Sequence, residues 1–192
     1  MSFPTGRPDA VAEAFAARPR AGFLPEQVRH LAAADRPLPI GGEQTSSQPS
    51  TVEAMLRLLD VHRGHRVLDV GAGSGWTTAL LAHLVGPDGS VLGVELEPDL
   101  AGWASRNLGA VAAPWARVET ADPAVLGRPD AAPYDRVLVS AAAPTLPAAL
   151  VDQLVPGGVL VVPVAGTMTR VVRTPTGQQV TEHGAYSFVP LR

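Results

Sequence analysis

Apolar residues in this chain follow two alternating patterns. Short runs dominated by Val and Leu recur at Arg66–Val70, Ser90–Glu95, Arg117–Thr120, Arg136–Ser140 and Val159–Val164. Helical stretches separate them at Trp76–Val85, Pro98–Leu108 and Pro147–Leu154. Strands that are nearly continuously apolar are buried on both faces, and strand–helix alternation predicts a parallel sheet covered by helices. Pro87-Asp88-Gly89 and Pro156-Gly157-Gly158 read as turns between these elements. Upstream, Asp9–Ala17 has helical composition with Asp9 as its N-cap. A short helix is expected near Glu26–Ala34. Ser50–Leu59 places Val52, Met55, Leu56 and Leu59 on one face, and Ser50 with Glu53 has capping-box spacing. Met1–Pro8 reads as a loose terminus. Pro39–Pro49 (PIGGEQTSSQP) has no hydrophobic period and reads as a binding loop. Beyond Thr167 the pattern changes. Arg170–Arg173 and Ala185–Leu191 are expected as antiparallel strands joined by a Thr176-Gly177 turn, with Arg170 and Arg173 on one strand face. The chain thus reads as one domain in three parts: residues 1–49, a core of 50–166, and C-terminal strands 167–192.

One junction in this pattern carries chemistry. Val67–Gly75 reads VLDVGAGSG, a buried strand running into three glycines and then a helix. Gly71, Gly73 and Gly75 permit positive φ and a close approach to backbone. The free N–H groups at the helix start favour a polar ligand. Dinucleotide sites use G-x-G-x-x-G. Here the spacing is G-x-G-x-G, and Trp76 follows, which argues against a pyrophosphate crossing the turn. Glu95 ends the next strand about 20 residues on, where an acid can accept from both ribose hydroxyls. Together these point to S-adenosylmethionine, which carries no phosphate. The fold expectation is therefore a Rossmann-like, class I methyltransferase α/β sheet, mostly parallel, with antiparallel C-terminal strands. A serine-hydrolase elbow needs G-x-S-x-G, and Ala72 and Trp76 flank Ser74, so that reading fails.

Bulk properties narrow the setting. Apolar residues make up 46% and charged residues 17%, which fits a globular chain. A net charge of −3 offers no footprint for a nucleic-acid backbone. The absence of cysteine excludes disulfides, thiol chemistry and zinc–thiolate sites. No apolar run reaches the roughly 18 residues of a membrane span, and MSFPTGRPDA lacks the build of a signal peptide. Cytoplasmic residence is the expectation. His30, His62, His65, His83 and His183 show no metal-ligand grouping, so no metal is expected. His62 and His65 read as solvated, and Trp103 and Trp115 as packing residues.

Several separate segments resemble the protein-L-isoaspartate O-methyltransferase family. RPRAGFLP resembles its segment ending in a Phe-Val-Pro-like tripeptide, and PIGGEQTSSQP its signature loop, I-G-x-G-Q-T-I-S-x-P. RVLDVGAGSGW, APYDRVLVSAAAP, LVPGGVLVVPV and the terminal FVPL follow the family pattern as well. The resemblance runs from about Arg18 to the C-terminus. It implies methyl transfer from S-adenosylmethionine, leaving S-adenosylhomocysteine, to the α-carboxylate of an L-isoaspartyl residue in a damaged protein or peptide. Ser47 matches the family's catalytic serine. Thr45 and Asp69 accompany it as catalytic candidates. Asp69, Gly71, Ala72, Gly73, Ser74, Gly75, Glu95, Leu96 and Asp122 are the expected cofactor-binding residues, with Asp122 on the adenine side. Gln44, Thr45, Ser47 and Ala142 are the expected substrate contacts. The expected partner is an isoaspartyl protein or peptide, with no nucleic acid or membrane, and the enzyme is expected to be a monomer. The alternatives are a specialised carboxyl methyltransferase for a peptide Asp and a degenerate, non-catalytic S-adenosylmethionine-binding protein.

The chain also departs from the family pattern. It is about one helix short before RPRAGFLP. Its signature loop has Gly42-Glu43 in place of an aromatic residue and a Gly or Asn. Ser46 stands where the family has Ile, so an apolar anchor is expected to be lost and Glu43 to bring negative charge near the substrate. Ala121-Asp122-Pro123 replaces G-D-G, and proline has no N–H to offer.

Overall fold

The computed structural model describes residues 9–192, so the expected loose terminus Met1–Pro8 lies outside the described residues. Helix α1 (Ala10–Ala17) starts at Asp9, whose Oδ1 accepts from Val11 N and Ala12 N, as expected of an N-cap. A 3₁₀ turn (Arg20–Phe23) and helix α2 (Glu26–Arg29) follow. Strands β1 (Leu38–Gly41) and β2 (Gln44–Ser46) form a separate antiparallel hairpin. Then come α3 (Pro49–Leu59), β3 (Arg66–Val70), α4 (Trp76–Val85), β4 (Ser90–Glu95) and α5 (Pro98–Gly109). The rest of the chain is β5 (Ala116–Thr120), β6 (Tyr134–Val139), α6 (Ala148–Val151), β7 (Leu154–Val164), β8 (Thr167–Thr174) and β9 (Gly177–Ala185).

The main sheet has the order β5-β4-β3-β6-β7-β8-β9. Strands β3 to β7 pair in parallel, as the apolar runs predict, and β8 and β9 are antiparallel. Both faces are apolar. Val67, Val91, Leu138 and Val161 pack with α3, α4 and α5 on one side. Leu68, Val94, Val137 and Leu160 face Leu150, Val151 and the loop residues Leu126 and Ala131 on the other. After β5 the strand order reverses and the chain crosses to β6. The break beside β3 is where such sheets open a ligand crevice.

Several expectations change. The Pro39–Pro49 loop contains the β1–β2 hairpin, because Leu38 and Ile40 are buried against Leu24 and Leu100. Its alternation is only four residues long and invisible to a period count. The expected capping box does not form. Helix α3 takes Gln48 as N-cap, the N–H of Ser50 donates to Asp35 Oδ1 at 2.9 Å, and Glu53 pairs with Arg57. The helix near Glu26–Ala34 ends at Arg29 and continues as tight turns. The helix expected at Pro147–Leu154 is only Ala148–Val151, because Leu154 already opens β7 opposite Tyr134. Pro156-Gly157-Gly158 therefore lies within β7, at a register shift, rather than before it.

The tail differs most. Its second strand is Gly177–Ala185, a largely exposed edge whose polar sequence carries no apolar period, and not Ala185–Leu191. Residues Val189–Leu191 instead run beside Ala142, exchanging backbone hydrogen bonds of 2.8 Å with it. Arg170 and Arg173 lie on opposite faces. The Arg170 Nε donates to Leu58 O at the end of α3, and the Arg173 guanidinium donates to Asp152 O and Leu154 O. Trp103 and Trp115 do pack, as expected. Trp103 joins the cluster under the hairpin, and Trp115 Nε1 donates to Ala82 O.

Candidate active site

The crevice forms where β3 ends. Gly71 N and Ala72 N both donate to Val94 O on β4, and Ser140 N donates to Val70 O from the β6 side. The turn is thus tied to both neighbouring strands. Gly73 and Gly75 have φ of +55° and +87°, values that favour glycine. They are glycines for different reasons. A Cβ on Gly73 would lie 3.1 Å from Ile40 Cδ1, so the hairpin closes directly over it. A Cβ on Gly75 would lie 3.2 Å from Ala104 Cβ, so this residue lets α5 pack close to the turn. A cavity of about 370 Å³ opens beside the turn, with Gly71, Ala72, Gly73 and Ser74 along its floor. Gly75 does not line it.

The two acids of the motif have separate positions. Glu95 is 7% exposed and lines the cavity. Its Oε2 accepts from Gly73 N at 2.8 Å and its Oε1 from Glu97 N at 3.0 Å. The carboxylate thereby locks the turn and still faces the cavity. Asp69 is fully buried beneath the turn and does not line the cavity. Its Oδ2 accepts from Thr77 Oγ1 and Thr78 Oγ1, both at 2.7 Å, while Oδ1 has no partner among the described residues. Burial pushes this carboxyl up to about 6, the two hydroxyls oppose the rise, and the Glu95 charge adds to it. Asp69 therefore sits where it organises the start of α4 rather than where it can touch a reacting group.

The hairpin forms the opposite wall. Gln44, Thr45, Ser46 and Ser47 all line the cavity, so the polar loop and the glycine turn face one another as the sequence suggested. Glu43 sits at the exposed hairpin tip, with φ of +60°, and does not line the cavity, contrary to its expected place near the substrate. Ser46 is buried, and the apolar anchor is replaced rather than lost. The buried Arg20 donates to Ser46 Oγ at 3.1 Å and to Ser46 O at 2.8 Å. Leu38 and Ile40 supply the apolar contact from the neighbouring strand.

The third wall is the segment after β5. Asp122 is exposed, lines the cavity, and turns its Oδ1 to Ala124 N at 2.9 Å. Pro123 sits inside that side-chain-closed turn, where its missing N–H leaves no unmet donor. Leu96, Val125 and Leu126 give an apolar slot beside it, and Val125 remains 38% exposed. Ala142 does not line the cavity. It holds the tail through backbone bonds, while its neighbours Ser140 and Ala141 face the space. The sequence reading missed Trp76 and the whole tail wall, Val189–Arg192. For the tail, no local signal exists: its place depends on pairing with Ala142, far away in the chain. No group of three or more potential ligands for a metal occurs among the described residues.

The comparisons with known proteins agree with this geometry. The family model for protein-L-isoaspartate(D-aspartate) O-methyltransferase matches residues 5–192. A protein-L-isoaspartate O-methyltransferase of Methanopyrus kandleri is 45% identical over 191 residues, covering 96% of this chain and 84% of that one. One from Ignicoccus hospitalis is 42% identical over 186 residues, covering 94% and 88%. A solved protein-L-isoaspartate O-methyltransferase superposes with a TM-score of 0.84 at 26% identity, over 96% of this chain and 61% of that one. A Plasmodium falciparum structure, described as a putative member and solved with S-adenosyl-L-homocysteine, superposes at TM-score 0.85 and 23% identity, over 96% and 90%. That last likeness speaks for the fold alone. With the family model and these two relatives spanning nearly its whole length, the chain belongs to the protein-L-isoaspartate(D-aspartate) O-methyltransferase family.

Proposed function

We propose that this chain is an S-adenosylmethionine-dependent carboxyl methyltransferase that methylates the α-carboxylate of L-isoaspartyl residues in damaged proteins or peptides. The observation that carries the reading is the meeting of two walls across one cavity: the glycine turn with Glu95, and the hairpin with Ser47. The residues fit the cofactor. Glu95 and Asp122 put negative charge on the wall, which suits a sulfonium cation and ribose hydroxyls. The exposed Val125, with Leu96 on the same cavity wall, offers an apolar surface for a planar base. When bound, S-adenosylmethionine supplies an electrophilic methyl group and leaves as the neutral thioether.

The protein's own part is positioning. A substrate carboxylate is ionised at pH 7, so no general base is needed. Ser47 and Thr45 offer hydroxyl donors to orient that carboxylate, and Gln44 offers an amide. Correct alignment of reacting atoms can lower a barrier by as much as ~7–11 kcal/mol. Asp69 supports this indirectly, by anchoring the first turn of α4. Methylation turns the carboxylate into an ester, so attack by the neighbouring backbone nitrogen expels methanol and re-forms a succinimide, which water can reopen as normal aspartate. We take the enzyme to act as a monomer on peptide or protein substrates rather than nucleic acid, in the cytoplasm, where a cysteine-free chain needs no oxidising compartment. No helix among the described residues is long and apolar enough to cross a membrane.

The test is a tritiated-methyl assay with two peptides that differ only in isoaspartate or aspartate at one site. Label on the isoaspartyl peptide alone is expected. Label on the aspartyl peptide instead would indicate the specialised carboxyl methyltransferase. Binding of S-adenosylmethionine with no label on either would indicate a non-catalytic binder. Both outcomes overturn the repair reading.

A further inference from the structure

Arg20 is 4% exposed and takes part in no ion pair among the described residues. Its acceptors are all neutral oxygens. Nε donates to Ser46 Oγ at 3.1 Å, Nη1 to Ala34 O at 3.1 Å, and Nη2 to Arg36 O at 3.0 Å and Ser46 O at 2.8 Å. Its Cζ lies 5.5 Å from the centroid of the Trp76 ring. The Asp35 carboxylate, in the turn that Arg20 holds, acts on the guanidinium only through space, while the direct bonds of the buried fork go to neutral oxygens, which marks a geometric task.

The contacts define that task. The planar fork joins three segments that diverge in the chain: the turn before β1, the end of β2, and the first residue of α4, which follows the glycine turn. The turn held at Ala34 and Arg36 contains Asp35, which accepts from Ser50 N at the start of α3. Ser46 is gripped at both its hydroxyl and its carbonyl, and the next residue is Ser47. Arg20 itself does not line the cavity.

We propose that Arg20 is a positioning residue for the methyl-transfer reaction: it fixes the end of β2, and with it the Ser47 hydroxyl, relative to the glycine turn. The proposal rests on the carboxyl methyltransferase reading. Lysine cannot replace the fork, because one ammonium point charge cannot reach acceptors that diverge in direction. In this chain, Ser46 and Arg20 form a polar lock where the family pattern has an isoleucine.

The test compares wild type with Arg20→Lys and Ser46→Ala in the full chain. In Arg20→Lys, kcat/KM for an isoaspartyl peptide should fall by at least ~20-fold, with S-adenosylhomocysteine affinity by calorimetry changed less than about threefold. Amide hydrogen exchange at Thr45, Ser46 and Ser47 should speed up by at least ~10-fold, while β3 and α4 stay unchanged. Ser46→Ala removes only one acceptor and should lower kcat/KM by about 3–5-fold. It also serves if Arg20→Lys does not fold. Effects on the double variant should be less than the product of the single ones. A fall in S-adenosylhomocysteine affinity matching the loss of activity would show a general structural role and overturn the proposal. Wild-type exchange and kinetics in both variants would do the same. If wild type labels no isoaspartyl peptide, the functional reading fails, and the exchange measurement still decides whether Arg20 holds the hairpin.

Discussion

Arg192 Nη2 donates to Glu97 Oε1 at 2.6 Å, joining the tail that walls the cavity to the N-cap of α5. Glu97 in turn gives its N–H to Glu95. The tail, the α5 cap and the acid beside the glycine turn therefore form one continuous chain of contacts. The Arg192 side chain is 53% exposed, so the pair is worth at most about 1 kcal/mol.

Arg192→Ala should accordingly speed dissociation of S-adenosylhomocysteine by about 2–5-fold and leave the melting temperature nearly unchanged. The difference should shrink in high salt. Stopped-flow displacement at two ionic strengths measures it, and an unchanged rate at low salt would show that this pair does not close the site.

Glu95→Ala should do much more. It leaves the half-buried Gly73 N and Glu97 N without their acceptor, at up to about 1–3 kcal/mol each. Calorimetry should show S-adenosylhomocysteine affinity reduced by at least ~100-fold, together with a lower unfolding midpoint. Binding at wild-type strength would remove Glu95 from the cofactor wall.

Ser47→Ala should separate the two walls. The residue directly follows β2, and no other side chain among the described residues depends on it for a hydrogen bond. Turnover on the isoaspartyl peptide should fall about 10–100-fold, with cofactor affinity within a factor of two. Wild-type turnover would reject the assignment of this loop.

Asp69 gives a pH prediction. Its folded-state carboxyl titrates at about 6, above the ordinary 3.8, because burial disfavours the charge. The folded state then holds more protons than the unfolded state between these values, so this group's contribution to stability falls as pH rises through that window. The penalty is absent below about pH 4 and fully present above about pH 6. Two units correspond to roughly 3 kcal/mol. Relative to wild type, Asp69→Asn should therefore gain in melting temperature as pH is raised from 4 to 7. A difference that is flat with pH would contradict the burial argument.

The parallel core was legible because its signals are local. Each of β3, β4 and β6 carries its own apolar run, and both faces of the sheet need such runs. The Asp9 cap and the glycine turn also depend on residues a few positions apart. Ser50 shows the limit of that reasoning. Its spacing to Glu53 satisfies a local rule, yet Asp35, folded back from earlier in the chain, is the acceptor its N–H uses. The polar edge strand β9 has no apolar face to betray it, and its pairing with β8 alone makes it a strand.

The chain's residue pattern by itself determined the sheet, the glycine turn and the acid partner Glu95, because hydrophobic period and backbone freedom are properties of neighbouring residues. It also named Gln44, Thr45 and Ser47 as the facing residues, through the likeness of their segment to a family loop. Only the tertiary structure decided how that loop is held. Its hairpin forms because Leu38 and Ile40 find a small apolar cluster, and its far end is fixed by a buried arginine that the chain brings in from before α2. The same holds for the two motif acids. Both stand in plain view in the sequence and both are buried, yet the folded turn places Asp69 beneath it and Glu95 against the cavity.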